Sequence, residues 1–154
     1  MKIKAKYLLV LVFLLTLGFR LFMVFSVPNF SDDTAYFYLR HIENLAENKQ
    51  LIFYDKLSYG GRYVLQPPLF NIIMALLSFG NLFMLKLLPE IFFSFLVIIV
   101  YFISKEISNN EYSSLFAALL SGFIPVFLSN TLNVISPYSL ALPLLFLYLP
   151  VLIE

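Results

Sequence analysis

"MKIKAKYLLVLVFLLTLGFRLFMVFSV", Met1–Val27, opens the chain and decides what solvent the rest must suit. Lys2, Lys4 and Lys6 precede an apolar run from Tyr7 to Val27 that one charge, Arg20, interrupts. A secretory signal has an apolar centre of roughly 7–15 residues followed by a small-residue cleavage site. This run is longer and no such site follows it. A helix crosses a bilayer with about 20 apolar residues, so the run reads as an uncleaved anchor whose lysines stay in the cytoplasm.

The composition outward from this stretch agrees. The 154 residues are 61% hydrophobic and 12% charged, with a mean hydropathy of +0.90, whereas a soluble domain carries roughly a quarter charged residues. Further apolar segments lie at Pro67–Phe79, Leu87–Ser104, Ser113–Leu128 and Pro137–Ile153. The first of these has an apolar core of about a dozen residues, the length of a re-entrant or interfacial helix. Pro67 and Pro68 suit its start, and Gly80 and Asn81 its stop. Were it to cross, Lys105 would lie opposite the N-terminal lysines, against the positive-inside preference. The expected fold is an all-α integral membrane protein of about four transmembrane helices. An amphipathic external-loop helix and one re-entrant or interfacial helix complete it. Residues 1–154 form a single transmembrane domain, multi-pass in the plasma membrane. Residues 28–86 form a long first external loop, 105–112 a cytoplasmic one, and Ser129–Pro137 a second external one.

Composition also removes chemistries. With no cysteine and one histidine, disulfides, thiol catalysis, zinc–thiolate sites and histidine-rich metal sites are excluded. The net charge is +1 and there is no basic patch of the kind that grips a phosphate backbone, so no nucleic-acid partner is expected. Any catalysis must use carboxylates, hydroxyls, Arg or Lys.

The polar residues concentrate in "PNFSDDTAYFYLRHIENL", Pro28–Leu45. Ser31 suits an N-cap, with Asp32 and Asp33 in the first helical turn, where exposed N–H groups favour acids. Ala35, Leu39, Ile42 and Ala46 recur on one helical face, and Asp33, Phe37, Arg40 and Asn44 on the other. This predicts an amphipathic helix near the membrane surface. The acids read equally well as caps on a solvated helix and as a site facing a phosphate-bearing lipid head, through a divalent cation or as a base. His41 reads as surface or site, and Tyr36, Phe37 and Tyr38 as interfacial aromatics or a sugar platform. "YGGR", Tyr59–Arg62, reads first as a turn. Arg20 either snorkels outward or faces the bundle interior with Glu90 as partner.

"SDDTAYFYLRHIENL" followed by "YDKLSYGGRYVLQPPLFNIIMALLSF" resembles the first external loop of GT-C-fold membrane glycosyltransferases. The likeness is to the catalytic subunit of oligosaccharyltransferase and its archaeal relatives. It spans residues 7 to 145, with "AALLSGFIPVFLSNTL" resembling a third span that runs into the second external loop. The resemblance implies transfer of a sugar or glycan from a polyprenyl phosphate or pyrophosphate lipid to a protein or lipid acceptor on the external face. By position it makes Asp33 or Asp32 the acid that binds metal, Mg or Mn, or activates the acceptor. Arg40 and Arg62 become phosphate contacts, since Arg pairs with phosphate bidentately. The sequence departs from the family in "SNTLNVISPYS", which carries no acid where the family has an acidic pair. The tentative metal ligand Asp33 would then share its ion with residues outside this chain. The chain is also short for such an enzyme, so an N-terminal portion is expected. A non-catalytic or degenerate polytopic subunit is the competing expectation. A transporter fragment, suggested by Arg20 and the broken apolar segments, ranks below both.

Overall fold

The computed structural model describes residues 5–57, 60–64 and 67–153, with side chains described up to Pro150. The chain is mostly helical. Its elements are α1 (Ala5–Ser26), α2 (Asp33–Asn48), a ribbon of β1 (Tyr54–Asp55) and β2 (Arg62–Tyr63), α3 (Leu69–Ser78), α4 (Leu82–Ser108), α5 (Glu111–Gly122), α6 (Pro125–Thr131) and α7 (Tyr138–Ile153).

Two helices, α1 and α4, are long and apolar enough to cross a membrane. They run antiparallel. Phe25 stacks on Phe83 at 5.0 Å, Phe13 meets Phe95 at 5.8 Å, and Ala5, Leu8 and Val12 pack on the cluster of Val97, Tyr101, Leu115 and Ala118. The first turn of α4 therefore lies beside the last turn of α1, and residues 27–81 leave and re-enter the bundle at one end.

The pair is inside-out by aqueous standards. On α1 the buried stripe is Thr16, Arg20 and Val24, while Val10, Leu11, Leu14 and Phe22 are exposed. On α4, Glu90 and Ser94 are buried while Phe95 and Phe102 are exposed. Polar groups inside and apolar groups outside suit lipid as the solvent.

Several boundaries differ from those expected. The second span, expected over Leu87–Ser104, runs from Leu82 to Ser108, because Asn81 accepts from Phe83 N–H at 2.8 Å and caps it early. Asn81 thus starts α4 rather than stopping α3. The third, expected over Ser113–Leu128, breaks ahead of Pro125 into α5 and α6, bent by 44°. Proline disfavours helical backbone at the residue before it, and Ile124 is extended there. Together α5 and α6 have the length and composition of one span, whereas α3 and α7 are shorter apolar helices. Helix α3 ends as expected beside Gly80 (φ +75°), with Phe79 as a left-handed cap.

The α2 helix also departs from expectation. Its apolar face is covered by protein. Ala35 and Ile42 pack with Phe70, Met74 and Ala75 of α3, Leu85 of α4, and Val134 and Ile135 before α7. The first loop thus has a small core of its own, seated on the end of the bundle.

Candidate functional site

The backbone geometry at the start of α2 separates the two adjacent acids. Asp32, not Ser31, is the N-cap, with extended backbone (φ −136°, ψ 142°). Its carboxylate accepts from Thr34 N–H at 3.2 Å and from the Thr34 hydroxyl, and these bonds hold it below the usual carboxylate range. Asp33 is the first helical residue. It is exposed, and its carboxylate has no hydrogen-bond or ion-pair partner among the described residues. One acid is occupied by its own helix and the other is available.

The entry to this helix is fastened from two sides. The Ser31 N–H donates to the Asn133 carbonyl at 3.0 Å, and Asn133 Nδ2 donates to the Asn29 carbonyl at 2.8 Å and to Ser31 Oγ at 3.1 Å. Asn133 belongs to the acid-free second loop, so the two loops do meet at the acid pair. From the other side, Lys86 of α4 donates to the carbonyls of Val27 and Pro28, at 2.9 and 2.8 Å.

Neither arginine pairs with Asp33 among the described residues. Arg40 pairs instead with Asp55, whose side chain is buried. Arg62 is exposed on β2 and stands opposite Asp55 in the antiparallel register. The charged feature of the loop is therefore an arginine–aspartate cluster that ties α2 to the ribbon. Asp55 carried no signal in the sequence beyond its charge, because its contact with Arg40 closes over 15 residues. Gly60 (φ +74°) and Gly61 (φ +67°) make the expected turn, while Ser58 and Tyr59 lie outside the described residues.

His41 is neither on the surface nor beside the acids. It is buried against the Phe37 ring at 4.4 Å, and burial together with neighbouring Arg40 lowers its pKa. Of the three aromatics of α2, Phe37 and Tyr38 meet edge-on at 5.7 Å, while Tyr36 turns to a different partner. Tyr36 meets Phe30 edge-on, Phe37 meets His41, and Tyr38 meets Phe70. A groove of about 440 Å³ lies at the far end of α2, lined by Leu45, Ala46, Ile72, Ala75 and Phe79 with Lys49. It does not open on Asp33.

Below the loops, Arg20 faces inward. Its Nε donates to Glu90 at 2.7 Å, its Nη2 to the Thr131 hydroxyl at 2.9 Å, and its guanidinium lies over the Phe93 ring at 4.3 Å. The second oxygen of Glu90 accepts from Asn133 N–H at 2.9 Å. Glu90 is the partner that the sequence offered for Arg20, and snorkelling is ruled out.

A hard divalent cation takes about six or more oxygen ligands. Among the described residues no group of three or more His, Cys, Asp or Glu could hold one, and the Asp32 carboxylate is already engaged. The described residues at Asp33 do not make a complete metal site.

No family model matches the chain, and neither curated proteins nor solved structures give a match.

Proposed function

We propose that this chain is a membrane glycosyltransferase. It transfers a sugar or glycan from a polyprenyl phosphate or pyrophosphate lipid to a protein or lipid acceptor on the external face. The observation that carries this reading is the exposed, unpartnered carboxylate of Asp33, where the first loop meets the second at the end of a lipid-facing bundle. Asp33 takes the proton of the acceptor while the acceptor atom bonds to the sugar carbon. The bond from that carbon to the lipid phosphate breaks, and the phosphate leaves with the electron pair. Arg62 is the exposed arginine for the phosphate, Arg40 being held by Asp55. A Mg or Mn ion at Asp33 would need its other oxygen ligands from outside the described residues.

In this reading α1, α4, the bent pair α5–α6, and α7 are four spans of a multi-pass plasma-membrane protein. The N-terminus and Lys105 lie in the cytoplasm, and α3 lies in the interface. The antiparallel placement of α1 and α4 supports it, since residues 27–81 begin and end at the same level. A second reading, a non-catalytic subunit, is favoured by the occupation of Arg40 and by the acid-free second loop.

The test is transfer from a radiolabelled polyprenyl-phosphate sugar by the protein in proteoliposomes. Asp33→Ala is expected to lower the rate by roughly 10²–10⁴-fold, the usual worth of a positioned base. Asp32→Ala is expected to act through the lost cap, at about 0.5–2 kcal/mol of helix stability. A wild-type rate for Asp33→Ala would remove it as the base. Absence of transfer by the wild type would favour the non-catalytic subunit.

A further inference from the structure

Hydrogen bonds lead from the intramembrane ion pair to Ser31, two residues before the exposed acid. Arg20 Nε on α1 donates to Glu90 Oε2 on α4 at 2.7 Å. Glu90 Oε1 accepts from Asn133 N–H at 2.9 Å. The Asn133 side-chain nitrogen holds the Asn29 carbonyl and Ser31 Oγ, and its carbonyl holds Ser31 N–H. Two residues further on is Asp33. We infer that Glu90 and Asn133 are positioning residues, which set where the first turn of α2 presents Asp33 by anchoring it to a charge pair inside the membrane. As a statement about catalysis this rests on the function proposed above; as a statement about structure it does not.

Three features single out this linkage among the loop contacts. Asn133 has a left-handed backbone (φ +56°), a conformation that costs a non-glycine residue energy unless its surroundings enforce it. Asparagine tolerates it better than most residues, and here its amide does the fastening. Glu90 is 1% exposed and Arg20 is fully buried. Removing either charge from lipid-facing surroundings would leave the other without compensation, so the pair has one stable arrangement. Finally, Glu90 uses both carboxylate oxygens on different elements, so rotation of its side chain cannot keep one bond while releasing the other. Lys86 restrains Val27 and Pro28 independently, so loss of the Asn133 linkage frees the start of α2 without detaching the whole loop.

The absence of cysteine allows a single spin label at Asp33→Cys, an exposed position without a side-chain partner. Asn133→Gly keeps the left-handed backbone and its N–H to Glu90 but deletes the amide bonds to Asn29 and Ser31. Both Asn133→Gly and Glu90→Ala, which removes the acceptor of Asn133 N–H, are expected to raise label mobility at position 33, while a control label at Glu47→Cys, at the far end of α2, stays unchanged. With Asp33 restored, the same variants are expected to lower kcat more than tenfold at unchanged KM for the lipid donor. Should Glu90→Ala fail to fold, Asn133→Gly in the loop carries the test. Unchanged mobility at position 33 in Asn133→Gly overturns the inference. Raised mobility in a protein whose wild type shows no transfer supports the positioning role and rejects the glycosyltransferase reading instead.

Discussion

Arg20 and Glu90 carry opposite charges with almost no exposure, in a helix pair whose outer surface is apolar. Taking such ions out of water costs several kcal/mol each, and only close pairing with further hydrogen bonds offsets it. Glu90 has that support from Arg20 and Asn133, and Arg20 from Glu90, Thr131 and the Phe93 ring. Glu90→Ala strands the guanidinium and is expected to cost about 3–5 kcal/mol in detergent unfolding. Glu90→Gln, which keeps an acceptor for Asn133 N–H, should cost less. Equal losses would show that the charge alone matters and that the Asn133 bond adds nothing to stability. Arg20 was visible in the sequence as the one charge in an apolar run, and Glu90 as an acid near the next span. Thr131 and Asn133 were not, because ordinary polar residues at a helix end and in a short loop give no local sign of partners 111 and 43 positions away.

Among the helices, α5 shows how closely backbones approach without lipid between them. A Cβ at Gly122 would stand 2.7 Å from Thr16 Oγ1, 2.8 Å from Thr16 Cγ2 and 3.2 Å from Val97 Cγ2. The end of α5 is thus seated on α1 and α4 together, as small residues permit in membrane bundles. Gly122→Ala is expected to destabilise by about 1–3 kcal/mol, the usual cost of overpacking. Thr16→Ala should recover much of that loss, because the Thr16 hydroxyl bonds only within its own helix, to the Val12 carbonyl. Absence of recovery in the double variant, by heat unfolding in detergent, would show that α5 does not rest on Thr16. At this scale the sequence located the elements well, and its errors lay at ends and faces. The apolar run Ser113–Leu128 gave no warning of a 44° bend except Pro125, and proline inside Pro143-containing α7 breaks nothing. The apolar face of α2 was legible as a face, but what covers it, α3 and residues 134–135, was not.

For the molecule as a whole, the antiparallel α1–α4 pair places the ribbon and the α4–α5 turn at opposite ends. Tyr63 and Asn110 are both exposed. In intact cells an impermeant thiol reagent is expected to label Tyr63→Cys, and to reach Asn110→Cys only after permeabilisation. Labelling of both from one side would overturn the proposed topology. The sequence by itself determined the solvent, since so few charges and such long apolar runs leave no aqueous fold that could bury them. It also determined where the polar residues would gather, at the start of α2, because capping and dipole effects act within one turn. Only the tertiary structure decided which acid is free, where Arg40 points and what holds the loop. Asp32 and Asp33 differ by one residue in the chain, yet the backbone leading into the N-cap is held by Asn133 from 102 residues away. Arg40 pairs with Asp55 because the turn at Gly60 and Gly61 folds the ribbon back, and a buried carboxylate needs a partner more than a solvated one does. Long-range contacts of this kind leave no period or motif to read.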